Sequence, residues 1–350
     1  MPGNFDWLVD VFGGMRFLVR SALLFVAMGF CSGVYGQESA PVQADAGSTI
    51  HVSTKFVVLD AEVENKKTGN LIGTLKSDDF VLSEDGVPQQ ITYFSHDQLP
   101  LSVVFLFDLT ETVRPALASL AGGAREVLGH LKPQDEVAVM VFSSHAELLQ
   151  GFTTDRSLAA DAIGKASSMK TGEGTFIHES MYEAVDEAMK STAPGSRKVL
   201  VWLTDGTANQ ENSRTRKIMG KEAPAYLHTK EEATASLLRS GVVVSALIDR
   251  TAETDAVMVA FFFVAHMGDI RKYADLTGGP VLNTSKKEVA DRLAELIYQL
   301  RGRYTLGYKP TNVKPDGTFC KLELRLRPDT YAKLPEKQDV VVRTRTGYFR

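Results

Sequence analysis

Cysteine is nearly absent from this chain: there are two in 350 residues, and one of them, Cys31, lies in a leading apolar stretch. Once that stretch is removed Cys320 stands alone, so an intramolecular disulfide framework is excluded and stability rests on core packing. In its strand-like setting Cys320 reads as a small buried hydrophobe. Histidine is scarce too, seven in all, and neither His145 nor His178 stands at zinc spacing with another His or Cys. Both read as loop or helix-face residues rather than ligands. No glycine-rich G-K-[ST] phosphate loop occurs. Charge of one sign is also missing. The net charge is -4, with no dense basic patch interleaved with aromatics, which removes the electrostatic case for nucleic acid or an anionic membrane surface as partner.

What is present is an ordinary globular composition, 44% hydrophobic and 23% charged, with a leader of export type. Arg16 and Arg20 precede the apolar run Ser21–Phe30, which is short for a bilayer span, and Val34-Tyr35-Gly36 lies before the polar Gln37. The expected division is a signal peptide over 1–36, cleaved after Gly36, with Met15 as an alternative start. An uncleaved anchor is the alternative. The mature chain is then expected outside the cytoplasm, in periplasm, at the cell surface or secreted, with no membrane insertion after cleavage.

The rest divides into an N-terminal β module over 37–98, an alternating strand and helix domain over 99–301, and a C-terminal β segment over 302–350. Solid apolar runs give strands at 102–107, 136–142, 198–203, 242–248 and 280–283. Helical periodicity falls at 115–130, 156–168, 177–190, 229–240, 269–276 and 286–301. This alternation predicts an α/β fold with a doubly wound, mostly parallel sheet. The two flanking β segments are each too small for a generous core, and are expected to pack together as a β sandwich. Residues 209–230 read as a loop. Ala252–Met267, with Phe261-Phe262-Phe263-Val264, reads as either a packed helix or an exposed partner patch.

Chemistry gathers at the ends of two of these strands. Val103-Val104-Phe105-Leu106-Phe107 runs into Asp108, followed by Thr110 and Thr112 at alternate positions. Lys198–Thr204 runs into Asp205 and Gly206. A strand apolar at every position is covered on both faces, and ligands of open α/β sheets collect beyond the carboxyl ends of such strands. Between the two, the loop Thr171–Thr175 leads into a helix whose apolar positions begin at Ile177, so Thr175 stands at a helix start beside the same edge. Carboxylate and hydroxyl donors are oxygen only, which suits a hard divalent cation, Mg2+ with Mn2+ or Ca2+ as alternatives. The plain alternative is that Asp108 makes only a turn or a helix cap.

With these elements in this order the chain resembles the von Willebrand factor type A domain, a Rossmann-like fold whose metal-ion-dependent adhesion site is written D-x-S-x-S, then Thr, then Asp. The resemblance carries that site onto Asp108, Thr110, Thr112, Thr175 and Asp205. Threonine replaces the commoner serine at 110 and 112, keeping the hydroxyl but stiffening the side chain. Glu111 is an added acid that either assists a cation or faces solvent. The phrases Asp78-Asp79-Phe80, Glu84-Asp85-Gly86, Tyr273–Gly279, Tyr304–Tyr308 and Gly347-Tyr348-Phe349 also resemble a bacterial family, the VWFA-related domain of acidobacteria, over residues 50–350.

What the resemblance implies is a non-enzymatic, cation-dependent binding protein. Its ligand would be a protein or glycan with an exposed carboxylate that completes the metal's shell. Two other readings stand beside it. One is a structural envelope protein whose metal site has degenerated. The other is a Mg2+-dependent phosphoryl-transfer enzyme of the haloacid-dehalogenase type, with Asp108 as nucleophile; against it, Asp205-Gly206 is followed by Thr207, Ala208 and Asn209 without a second acid.

Overall fold

The computed structural model describes residues 56–143, 145–171, 175–206, 228–249, 269–312, 314–334 and 339–350. The chain divides into two units, Met1–Val52 and Ser53–Arg350, and the described residues all belong to the second. The expected signal peptide, the glycines of the loop before Thr175, most of the 209–230 loop and the apolar 252–267 insertion lie outside the described residues.

A six-stranded sheet forms the centre, in the order β10-β9-β8-β5-β6-β7. Its strands are β5 (Leu101–Asp108), β6 (Glu136–Phe142), β7 (Ala146–Thr153), β8 (Arg197–Thr204), β9 (Val243–Asp249) and β10 (Val281–Thr284). All adjacent pairs are parallel except β6 with β7. Every residue of β5 is buried, and its side chains alternate between two cores, as strand geometry requires. Val103, Phe105 and Phe107 join one core with α1 (Arg114–Leu128), α2 (Arg156–Ser168) and the helix Val289–Arg301. Val104 and Leu106 join the other with α3 (Ile177–Met189), the helix Lys230–Ser240 and residues 269–277. These are helices on both faces of a mostly parallel sheet, as the apolar runs implied.

β7 is absent from the strands expected from the sequence. Its text, Ala146-Glu147-Leu148-Leu149-Gln150-Gly151-Phe152-Thr153, has no strict alternation, because it is the exposed antiparallel edge of the sheet and its register shifts against β6.

The flanking segments interleave. β1 (Val57–Asn65) lies between β11 (Tyr304–Tyr308) and β13 (Val340–Thr344), and β4 (Ile91–Ser95) pairs with the far side of β11. A second four-stranded antiparallel sheet runs β14-β12-β2-β3, from β2 (Phe80–Glu84), β3 (Val87–Gln89), β12 (Phe319–Leu326) and β14 (Gly347–Phe349). Leu59 and Val63 of β1, Leu82 of β2, Leu306 of β11 and Leu322 of β12 meet in one core that also holds the buried thiol of Cys320. Each sheet mixes strands from both ends of the chain, and neither end has this core alone. A short helix, Pro328–Lys333, interrupts the tail that sequence reading took as wholly β.

Ion pairs join the sandwich to the central sheet. Arg197, the first residue of β8, donates from Nε to Asp60 Oδ2 at 2.9 Å and from a terminal nitrogen to the Leu300 carbonyl at 2.6 Å. Arg303, fully buried, donates to Glu62 Oε2 at 3.1 Å and to the Gly278 carbonyl at 2.8 Å. Burial alone would push the Asp60 carboxyl up, but the Arg197 guanidinium and its hydrogen bonds hold it below its ordinary value. At Glu62 burial outweighs Arg303 and Arg343, and the carboxyl is raised.

Candidate metal centre

Parallel pairing of β5 with β8, in register at Phe107 and Leu203, brings the carboxyl ends of both strands side by side. Asp108 closes β5 and is fully buried; Thr204 closes β8, and Asp205 follows it, also buried. Gly206 then takes a positive φ of 80°, the left-handed turn that glycine permits without steric cost.

Four of the five residues carried over from the resemblance come together here. Asp108 Oδ1 accepts from the Thr110 amide at 3.0 Å, an Asx-type turn that bends the chain back over the strand end. The hydroxyls of Thr110 and Thr112 are 3.1 Å apart, and Thr112 donates to Asp205 Oδ2 in a short hydrogen bond. The fifth, Thr175, stands just before α3 and is completely buried. Its loop is tied to the end of β6 by the Phe176 amide, which donates to the Ser143 carbonyl at 2.8 Å. The Thr175 hydroxyl makes no hydrogen bond among the described residues.

Thr204 was missed as a contributor. Its hydroxyl donates to Asp108 Oδ2 at 2.8 Å and accepts from the Gly206 amide at 3.0 Å, so one buried side chain fixes both the carboxylate and the turn after β8. The only signal in the sequence is a polar residue closing an otherwise apolar strand. Glu111 is exposed and held by other groups: Thr171 donates to it in a short hydrogen bond and the Arg114 Nε is 4.0 Å away. Arg114 in turn donates to the Met169 carbonyl at 2.6 Å. The next strand outward, β9, also ends in a buried acid, Asp249. His178 is a helix-face residue, with Nδ1 2.8 Å from the Tyr273 hydroxyl and Nε2 3.7 Å from Asp269.

The electrostatics are those of a site with surplus negative charge. Burial, and then the neighbouring Asp205 carboxylate, push the Asp108 carboxyl up to about 7 despite donors from Thr204 and Thr110. Two close carboxylates, three hydroxyls and the buried Thr175 hydroxyl, unbonded among the described residues, form an oxygen-only donor set that fits a hard divalent cation.

Residues 103–207 match the family model of the von Willebrand factor type A domain. No curated protein matches the chain. Among solved structures, the conserved hypothetical protein BatB from Bacteroides thetaiotaomicron is 14% identical with a TM-score of 0.39, over 57% of this chain and 99% of its own. The vWF domain of the type V pili tip protein Mfa5 from Porphyromonas gingivalis is 12% identical with a TM-score of 0.41, over 62% and 99%. Proximal thread matrix protein 1 from the mussel byssus, with a zinc-occupied MIDAS motif, is 14% identical with a TM-score of 0.38, over 62% and 50%. Domains of the matched family are generally non-enzymatic adhesion or protein-interaction modules. Over residues 103–207, from β5 to the turn after β8, the chain is thus similar to the von Willebrand factor type A domain.

Proposed function

We propose that this is an exported, non-enzymatic binding protein whose A domain captures an acidic group on a protein or glycan through a divalent cation, Mg2+ by preference. Asp108, Thr110, Thr112, Thr175 and Asp205 would hold the ion. Bound there it supplies an electrophilic point that a partner's carboxylate completes. The chain's own contribution is to hold the donors at the sheet edge: Thr204 fixes Asp108, the Thr110 amide closes the turn, and Thr112 bridges to Asp205. The observation that carries the reading is the joining of both strand-end carboxylates by threonine hydroxyls, with Asp108 raised to about 7 by burial and by Asp205. A bound cation offsets both the cost of burying this charge and its repulsion by Asp205. The division into a leader over 1–36, a β module over 37–98, an A domain over 99–301 and a β tail over 302–350 belongs to the same proposal.

Calorimetry on the mature protein with Mg2+, Mn2+ and Ca2+ tests it. Binding by the parent chain, and its loss in Asp108→Ala and Asp205→Ala, is the expected outcome. No binding at millimolar cation would reduce the domain to a scaffold and overturn the reading.

A further inference from the structure

The sandwich holds a second cluster with metal-binding chemistry, built from different donors and separate from the central sheet. Glu84 ends β2, Asp85 follows it in the turn to β3, and Cys320 lies on β12, the neighbouring strand. Asp85 takes φ 49° and Gly86 φ 80°, the left-handed pair of a tight Asp-Gly hairpin, and the Asp85 amide donates to the Lys321 carbonyl at 2.9 Å. That hairpin places a carboxylate oxygen of Glu84, one of Asp85 and the Cys320 sulfur within 4.8 Å of one another.

Glu84 supplies a second, independent observation. Its side chain is 1% exposed. Oε2 accepts from two tyrosines, from Tyr348 at 3.1 Å and from Tyr308 in a short hydrogen bond, whereas Oε1 is buried with no hydrogen-bond partner among the described residues. Buried carboxylate oxygens are satisfied by donors or by ions. The Cys320 sulfur makes a long contact, 3.9 Å, to the Thr318 carbonyl and also meets the Tyr348 hydroxyl. Among the described residues Lys314 is the side-chain cation bonded to the cluster, through Asp85 Oδ2, while Asp85 Oδ1 accepts from the Lys321 amide at 3.1 Å.

We infer that Glu84, Asp85 and Cys320 form a zinc-binding site on the sandwich. One thiolate with two carboxylates suits a borderline-soft ion and is unlike the oxygen-only centre of the A domain. Ligand atoms around tetrahedral zinc lie about 3.5 Å apart, so modest side-chain rotations complete the set, leaving a fourth position for water. Asp85 must exchange its Lys314 partner for the ion, which makes Lys314 a competitor. Zinc here would pin the β2–β3 hairpin to β12.

Co2+ is the probe that separates the two centres, since only a thiolate ligand gives a near-ultraviolet sulfur-to-cobalt charge-transfer band. The full chain carrying Asp108→Ala, which silences the A-domain centre, is titrated with Co2+ and back-titrated with Zn2+. The expected result is a band that Zn2+ removes, that is absent in Cys320→Ser and weakened in Asp85→Asn, and that appears at roughly tenfold lower Co2+ in Lys314→Ala. Glu84→Gln is read the same way where circular dichroism shows it folded. A folded parent without the band overturns the proposal, as does a band that survives Cys320→Ser or ignores both Asp85→Asn and Lys314→Ala.

Discussion

Asp108 depends on a neighbour that coordinates nothing in the proposed scheme. Thr204 donates to the oxygen of Asp108 that the Thr110 amide does not reach, so the two donors together set the carboxylate's rotation. Thr204→Val keeps the shape and removes the donor. We expect it to weaken cation binding about tenfold by calorimetry and to cost about 1–2 kcal/mol in denaturant unfolding, with Thr204→Ser restoring both. A purely structural Thr204 would lower stability in the valine variant and leave cation affinity alone. Asp108, Thr110, Thr112 and Asp205 were legible because each follows an apolar run whose end is a known gathering place for ligands. Thr204 was not legible, since a threonine closing a strand is commonplace and its role exists only once β5 and β8 are neighbours. The direction of Glu111 was likewise open in the sequence, and it is set by Thr171, 60 residues further along the chain.

Among the elements, the all-apolar strands β5, β6, β8 and β9 were readable because burial on two faces leaves a signature in composition alone. The edge strand β7 left none, as half of its environment is solvent. The turn into β10 shows how a short phrase carries geometry. In Thr277-Gly278-Gly279, Gly278 has φ 72°, and a Cβ at Gly279 would overlap the carbonyl oxygen of Val244 on β9. Gly279→Ala is therefore expected to lose about 3 kcal/mol by forcing β9 and β10 apart, seen as a lowered midpoint in thermal unfolding followed by circular dichroism. A change of less than about 0.5 kcal/mol would mean the turn relaxes freely. At the start of α2, Asp155 Oδ1 accepts from the Ser157 and Leu158 amides at 2.8 and 3.4 Å, so Asp155→Ala should cost about 1 kcal/mol in the same assay.

Across the whole molecule the union of sandwich and sheet rests on buried charge. Asp60→Asn leaves the Arg197 guanidinium buried beside a neutral amide and should cost about 3 kcal/mol at neutral pH. The folded-state pKa of Asp60 is lowered, so the unfolded chain binds the extra proton first. The carboxylate's contribution is thus present above its unfolded pKa and lost as pH falls through the lower folded value. Denaturant titrations should find the gap between parent and variant constant from pH 7 to about 5 and narrowing below about 4; a gap that widens with acid would refute the assignment. Comparing the two chains at each pH cancels Glu62, whose raised pKa acts with the opposite sign. That the flanking segments share one core was foreseeable from their small size. Their interleaving was not, because strand order is a property of pairing between residues as distant as Val57 and Tyr308.

That same pairing dictates an order of events at birth. β1 and β2 emerge from the ribosome before the central sheet, whereas β11 and β13, which flank β1, and β12, which pairs with β2, follow it. The sheet with its helices can close while the leading strands still wait, open-edged and prone to mispairing. The segment that follows the central sheet is the one that releases them from that exposure. A chain cut after the central sheet would leave β1 without β11 and β13 and β2 without β12, with open edges free to mispair.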